Sequence, residues 1–103
     1  MNIEIAPRAA EVHTNHVNAL LHVLFCKIDN KTGWRLPTAD ECYWIHSQTM
    51  SPNNRMFRTV YWTSESVDSE NANSFNFLTG IINKDKKTYH NFVRPVRTIT
   101  TEV

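Results

Sequence analysis

The apolar residues of this chain change their spacing after Ser51-Pro52-Asn53-Asn54, and that change decides the class of fold it can adopt. From Val17 to Ile28 they recur at helical intervals: Val17, Leu20, Leu21, Leu24, Phe25 and Ile28 stand at i, i+3, i+4, i+7, i+8 and i+11. Beyond Asn54 they come in short bursts with strand-like residues, bounded by turn formers. Early helices followed by several antiparallel strands predict an α+β domain, with both helices packed on a twisted, mainly antiparallel sheet. At 103 residues the chain is read as one domain, 1–103, because two would leave each half with too small a core.

Local signals fill in the order. Ile3 and Ile5 alternate with polar neighbours and read as a short strand that Pro7 stops. Residues 1 to 6 are expected to pair near the C-terminal strand. The first helix starts at a cap, Thr14 or Asn15, turns its apolar stripe to the core, and stops at Asp29-Asn30-Lys31-Thr32-Gly33. A second, shorter helix opens at Pro37-Thr38-Ala39-Asp40-Glu41, where Thr38 and Glu41 have the spacing of a capping box. Asp40 and Glu41 also put negative charge at the positive end of its dipole. Cys42 and Ile45 are predicted to face the core, with Trp44 a further candidate, and the helix fades between Ser47 and Met50. Val60-Tyr61-Trp62-Thr63 and Ser74 to Leu78 read as strands, with Phe75 and Phe77 on one face. Thr79-Gly80 reads as a turn, after which Ile81-Ile82 returns. Lys84-Asp85-Lys86-Lys87 reads as a polar loop, and Tyr89 to Val96 as a last strand whose Pro95 suits an edge or a bulge. Eleven asparagines against two glycines assign many turn positions to Asn.

Composition narrows the function. Hydrophobic residues at 41% and charged residues at 20% make a globular chain rather than a disordered one. Eleven Lys and Arg balance ten Asp and Glu, which argues against a nucleic-acid partner. No apolar run approaches the roughly 20 residues of a membrane span, so no membrane partner is expected. The sequence from Met1 lacks the marks of a signal peptide, and the expected location is cytoplasmic or virion-associated. Cys26 and Cys42 then read as reduced, small hydrophobes.

Catalytic signals are thin. Of the five histidines, His13 and His16 stand one helical turn apart, yet no Cys, Asp or Glu lies at ligand spacing beside them. His22 points about 120° away from His16 on the helical wheel, and His46 and His90 complete the five. No G-x-S-x-G, P-loop or H-E-x-x-H motif occurs. The expectation is a chain that is not an enzyme and that uses no cofactor and no metal.

Four motifs carry a resemblance. Gly33-Trp34-Arg35-Leu36-Pro37-Thr38 with Glu41, Tyr61-Trp62-Thr63-Ser64, Phe75-Asn76-Phe77 with Gly80, and Phe92-Val93-Arg94-Pro95-Val96-Arg97 occur in that order. Together they cover about residues 12 to 97, and they resemble the C-terminal domain family of bacterial collagen-like adhesins. The resemblance implies a C-type-lectin-like fold, related to formylglycine-generating enzymes and to hypervariable phage receptor-binding proteins. Cys26 fits the family's helix-one cysteine, whose bonding partner in the last strand is here Pro95. The oxidase branch of the fold uses metal-binding cysteines near the C-terminus, and this chain has none there. The lectin calcium triplet is also missing: Ser51-Pro52-Asn53 lacks the leading carboxylate or amide, which leaves only the scattered acids Glu65, Asp68 and Glu70.

In the fold so implied, the connection after helix two and the strand-linking loops form one exposed face. Here they are Ser51 to Arg58, Glu65 to Asn73 and Asn83 to Thr88. Asn53, Asn54, Arg55, Arg58, Glu65, Asn71, Asn73 and Lys84 are the candidate ligand contacts, with Asp68 and Asp85 beside them. Trp34, Trp62 and Arg94 read instead as structural, and Arg35, Arg94 and Arg97 suit forked hydrogen bonds to loops or carboxylates. The predicted function is a non-catalytic binding module recognising a glycan or a protein surface. The alternative is a structural or assembly component of a larger complex, such as a phage particle.

Overall fold

Side-chain alternation along one central strand organises the whole molecule. A computed structural model describes residues 1–48, 50–51 and 54–99. In chain order its elements are β1 (Ile3–Ile5), β2 (Val12–Thr14), α1 (His16–Leu24), α2 (Ala39–Ser47), β3 (Val60–Ser66), β4 (Asn71–Asn76), β5 (Ile81–Lys86), β6 (Asn91–Val93) and β7 (Val96–Thr98). Five strands make one sheet in the order β2-β6-β3-β4-β5, antiparallel except where β3 and β6 run parallel with Tyr61 opposite Phe92. β1 and β7 form a separate antiparallel ribbon with Ile5 opposite Val96, the pairing expected for residues 1 to 6. No helix among the described residues is long and apolar enough to cross a membrane.

Tyr61 and Trp62 are neighbours on β3, so they point to opposite faces of the sheet. On Tyr61's side, Phe75, Phe77, Met56 and Val96 meet Cys42 and Ile45 of α2. On Trp62's side, Leu36, Ala72 and Val93 meet Ala19 and Val23 of α1. One helix therefore covers each face, and the domain is α+β. Trp62 is wholly buried, and its indole Nε1 donates to the carbonyl of Thr14 at 2.9 Å. That bond satisfies the ring's one polar atom and leaves the rest as apolar payload.

The start of α2 forms as its sequence dictates. Thr38 Oγ1 accepts from the Glu41 amide at 3.2 Å, and Glu41 Oε1 accepts from the Thr38 amide at 2.9 Å. Arg35 grips the same carboxylate with two nitrogens at 2.6 and 2.8 Å, which holds Glu41 below the usual carboxylate range. Arg97 likewise joins Glu4 at 3.0 Å and the carbonyl of Thr32 at 3.2 Å. The forked roles expected of these arginines are present.

Helix α1 corrects the sequence reading. Of its two candidate caps Asn15 is used, accepting from the Asn18 amide at 2.9 Å. The helix buries His16, Ala19 and Val23, while Val17, Leu20, Leu21, Leu24 and Phe25 are exposed and Ile28 is half-buried. Trp62 shares one buried cluster with Ala19 and Val23, so the arc facing the sheet carries small residues. The longer apolar side chains are thereby rotated outward. The helix also ends at Leu24, ahead of the expected stop. Asp29 and Asn30, at φ 53° and 61°, then close a tight turn between Ile28 and Lys31.

Three further expectations change. Lys84-Asp85-Lys86 is part of β5 rather than a loop. Its polarity reflects an edge strand, with Asp85 turned inward to accept from Ser74 Oγ at 2.8 Å and Asn91 Nδ2 at 3.0 Å. The single last strand is two, β6 and β7, in different sheets, with Arg94 and Pro95 between them. His13 lies on β2 against Phe92, 4.8 Å between ring centroids, so it is not on a helical turn with His16.

Two stability measurements test this packing. Trp62→Ala should lower unfolding free energy by about 3–5 kcal/mol, and Thr38→Ala by about 1 kcal/mol. Equal small losses in denaturant melts would remove Trp62 from the core. The second concerns His16, which is buried edge-on to Trp62 at 5.1 Å with its Nε2 unpartnered. Burial holds this imidazole below its ordinary value, so the unfolded chain takes up the proton more readily than the folded one. Its contribution is complete above the unfolded value of 6.5 and drains away as pH falls through it. Stability should therefore decline from about pH 7.5 to about 5.5, with a shallower decline in His16→Leu. Parallel slopes in the two proteins would sink that assignment.

Candidate functional site

The two ends of the β3–β4 ladder differ in what surrounds them. At the Val60 end, the C-terminal turn of α2, residues 50–51 and 54–58, and Phe77 enclose a cleft of about 340 Å³. Ile45, Met50, Met56 and Phe77 give it an apolar floor, and His46, Gln48, Arg55 and Arg58 form its rim. Among the described lining residues, the two arginines are the charged side chains.

Each wall is held by a separate device. His46 packs against the rings of Phe75 and Phe77, with centroids 5.7 and 6.1 Å away, and against Gly80. At Gly80 the backbone is left-handed, φ +74°, and a Cβ there would stand 3.0 Å from His46 Cε1. Only glycine gives both that conformation and that approach.

The arginine-bearing wall is pinned by its backbone. Arg94 Nη1 donates to the Asn54 carbonyl at 2.8 Å, and Arg8 Nη2 donates to the Arg55 carbonyl at 2.7 Å. The Phe57 amide donates to the Tyr61 hydroxyl at 2.9 Å, and that hydroxyl donates to Glu11 Oε2 at 2.6 Å. Burial and the neighbouring carboxylate push the Tyr61 phenol up, so it keeps its proton and its donor role. Arg8 also lies 4.5 Å over the Phe57 ring. With its main chain fastened, this segment presents the Arg55 and Arg58 side chains outward. Among the described residues neither guanidinium has a hydrogen-bond partner.

The eight predicted contact residues do not share one face. Arg55 and Arg58 line the cleft and Asn54 adjoins it, while Asn53 lies outside the described residues. Glu65 instead accepts from the Ala39 amide at 2.9 Å, at the N-terminus of α2. Asn71 donates to the Asp68 carboxylate at 3.1 and 3.2 Å. Asn73 is half-buried opposite Lys84 in the β4–β5 ladder. Asn73 is four positions from Phe77, roughly 13 Å along a strand. The segments 65–73 and 83–88 therefore belong to the far part of the sheet, where Ser69, Glu70, Lys86, Lys87 and Thr88 line a second hollow of about 360 Å³.

The scattered acids are also accounted for. Asp68 accepts from the amides of Glu70 and Asn71, both at 2.8 Å, which lowers its pKa and commits it to a turn. Among the described residues, no three His, Cys, Asp or Glu side chains gather where they could share a metal ion. Cys42 is buried on the inner face of α2 and Cys26 is half-buried 3.9 Å from His22 Nε2, and burial raises the pKa of both thiols. A thiol shifted that way is a poor nucleophile at neutral pH.

Sequence reasoning missed His46, Gln48, Met50 and Met56 as cleft residues, and it placed Phe77 only on a strand face with Phe75. No local pattern marks them, because the end of α2, the segment carrying Met50 and Met56, and Phe77 meet only in the folded chain. Among curated proteins, none matches the chain. The sequence model of the Lcl C-terminal domain matches residues 6–97, a span that includes both helices, the whole five-stranded sheet and the described cleft residues. The chain therefore belongs to the Lcl C-terminal domain family.

Proposed function

We propose that this domain is a non-catalytic binding module that takes an acidic group of a glycan or of a protein surface into the cleft between α2 and residues 54–58. One observation carries the reading: Arg55 and Arg58 project from a backbone already pinned by Arg94, Arg8 and Tyr61. A guanidinium offers a planar fork of donors that matches a carboxylate or sulfate, and such charge-assisted bonds exceed neutral ones. The floor of Met50, Met56 and Phe77 suits the apolar side of a sugar ring or an aliphatic side chain. Because the wall is ordered before the ligand arrives, little ordering entropy opposes binding. A role in assembling a larger complex, such as a phage particle, draws support from a different feature, the exposed apolar face of α1.

Arrays carrying acidic and neutral glycans beside acidic peptides test this reading. Acidic members should bind, and raised salt should weaken them. Arg55→Ala and Arg58→Ala should each reduce affinity about tenfold, equivalent to about 1.4 kcal/mol. The melting temperature should hardly move, since surface changes usually shift stability by less than about 0.5 kcal/mol. Lys84→Ala, at the far part of the sheet, should bind as the parent does, and chelator and reductant should have no effect. Unchanged binding by the double arginine variant, or loss of binding on chelation, would remove the cleft as the site.

A further inference from the structure

Helix α1 carries more apolar surface than its own domain uses. At about 100° per residue, His16, Ala19 and Val23 share the arc against the sheet, while Val17, Leu20, Leu21 and Leu24 occupy the adjoining arc. Val17, Leu24 and the capping residue Phe25 are 60%, 70% and 78% exposed, and Leu20 and Leu21 are nearly half-exposed. Together they present on the order of 500 Å² of contiguous apolar surface, toward the upper end for the largest patch on a monomer. The stripe also lacks charge: from His16 to Cys26 there is no Asp, Glu, Lys or Arg.

We propose that this face is the contact between two copies of the chain, packed about a two-fold axis through α1. Val17, Leu20, Leu21 and Leu24 fall at i, i+3, i+4 and i+7, the spacing with which one helix seats its side chains between those of another. A two-fold contact places a patch against itself, so the patch must tolerate its own chemistry. An uncharged apolar stripe does, because a second copy brings no charge that would be buried unpaired. A strongly charged partner would find no counter-charge here. A lipid surface is engaged by helices rich in Lys and Arg on the polar arc, whereas α1 offers Asn18 and His22. The area fits as well. Two such patches bury roughly 1,000 Å², which meets the lower bound for a specific interface and corresponds to a weak, reversible dimer. The inference rests on α1 alone and does not depend on what the cleft binds.

Sedimentation equilibrium from low micromolar to near-millimolar concentration tests it. The parent's average mass should rise toward twice that of one chain. Leu24→Glu and Leu21→Glu place like charges on both sides of the axis and should weaken association at least tenfold. Their circular dichroism and dilute melting temperature should match the parent's, since both side chains face solvent in the single chain. Leu78→Glu, on an equally exposed side chain in the turn after β4, should associate as the parent does. If Leu24→Glu fails to fold, Val17→Lys on the same arc gives the second reading. A single-chain mass at every concentration, or equal weakening by Leu78→Glu, overturns the proposal. So does a monomer whose α1 instead binds phosphatidylcholine vesicles.

Discussion

A buried ion pair between residues 83 positions apart fixes how the segments of this domain meet. Arg94 and Glu11 have side-chain exposures of 0% and 5%, and Arg94 reaches Glu11 Oε2 through Nε at 2.9 Å and Nη2 at 2.7 Å. Either charge alone in that interior would cost several kcal/mol, so the two must arrive together. The guanidinium's remaining donors go to the carbonyls of Ala6 at 3.2 Å, Asn54 at 2.8 Å and Arg55 at 3.4 Å. Compensation is incomplete, because Glu11 Oε1 is buried without a partner. The pair therefore adds little net stability over an apolar core, and its consequence is positional. The stretch between β1 and β2, residues 54–55, the start of β3 and the break between β6 and β7 are held to one point.

That single point explains why a polar segment can serve as a wall. Residues 54–58 contribute Met56 to the core, but the rest of the stretch is exposed, so burial alone would not order it. Ordering a residue's backbone costs about 1–2 kcal/mol. Here the carbonyls of Asn54 and Arg55 and the amide of Phe57 are all taken up by Arg94, Arg8 and Tyr61, which offsets that cost during folding rather than during binding. The same buried charge that fastens the core thus determines where Arg55 and Arg58 project. Arg94 orders the wall of the cleft without lining it.

How much of this was legible in the sequence depends on the range of the interaction. The capping box at Thr38 follows from residue type and short spacing, the α1 cap falls on Asn15, one of the two residues the sequence offered, and the buried Trp62 and the forked arginines follow from residue type. The pairing of residues 1 to 6 with the last strand was also legible, from alternation and motif order. Misreadings arose where tertiary context chose between two local solutions. The α1 stripe is real, yet the inner arc, in one cluster with Trp62, falls to Ala19 and Val23. Lys84 to Lys86 looked like a loop because edge strands and loops are equally polar. The candidate contacts were scattered for the same reason: loop composition says which residues are polar, but not which end of a strand they reach. Only the β3–β4 register separates Arg58 from Asn71.

The division of the core by Tyr61 and Trp62 also separates the two surfaces that the fold leaves open. The cleft lies with α2 on the Tyr61 side, and the apolar stripe lies on α1, the helix that covers the Trp62 side. Leaving roughly 500 Å² of apolar surface in water forgoes on the order of 10 kcal/mol of burial, a large sum beside the stability of a small domain. A second protein surface packed on α1 would recover part of it. With α1 paired to a second copy, both clefts stay open on the outer faces of the pair. Two sites that face apart cannot both grip one flat surface, but they can join two separate ones. Linking of that kind gains from the effective concentration of the second site only where the geometry lets both engage, and here the geometry is set by which neighbour on β3 points up and which points down.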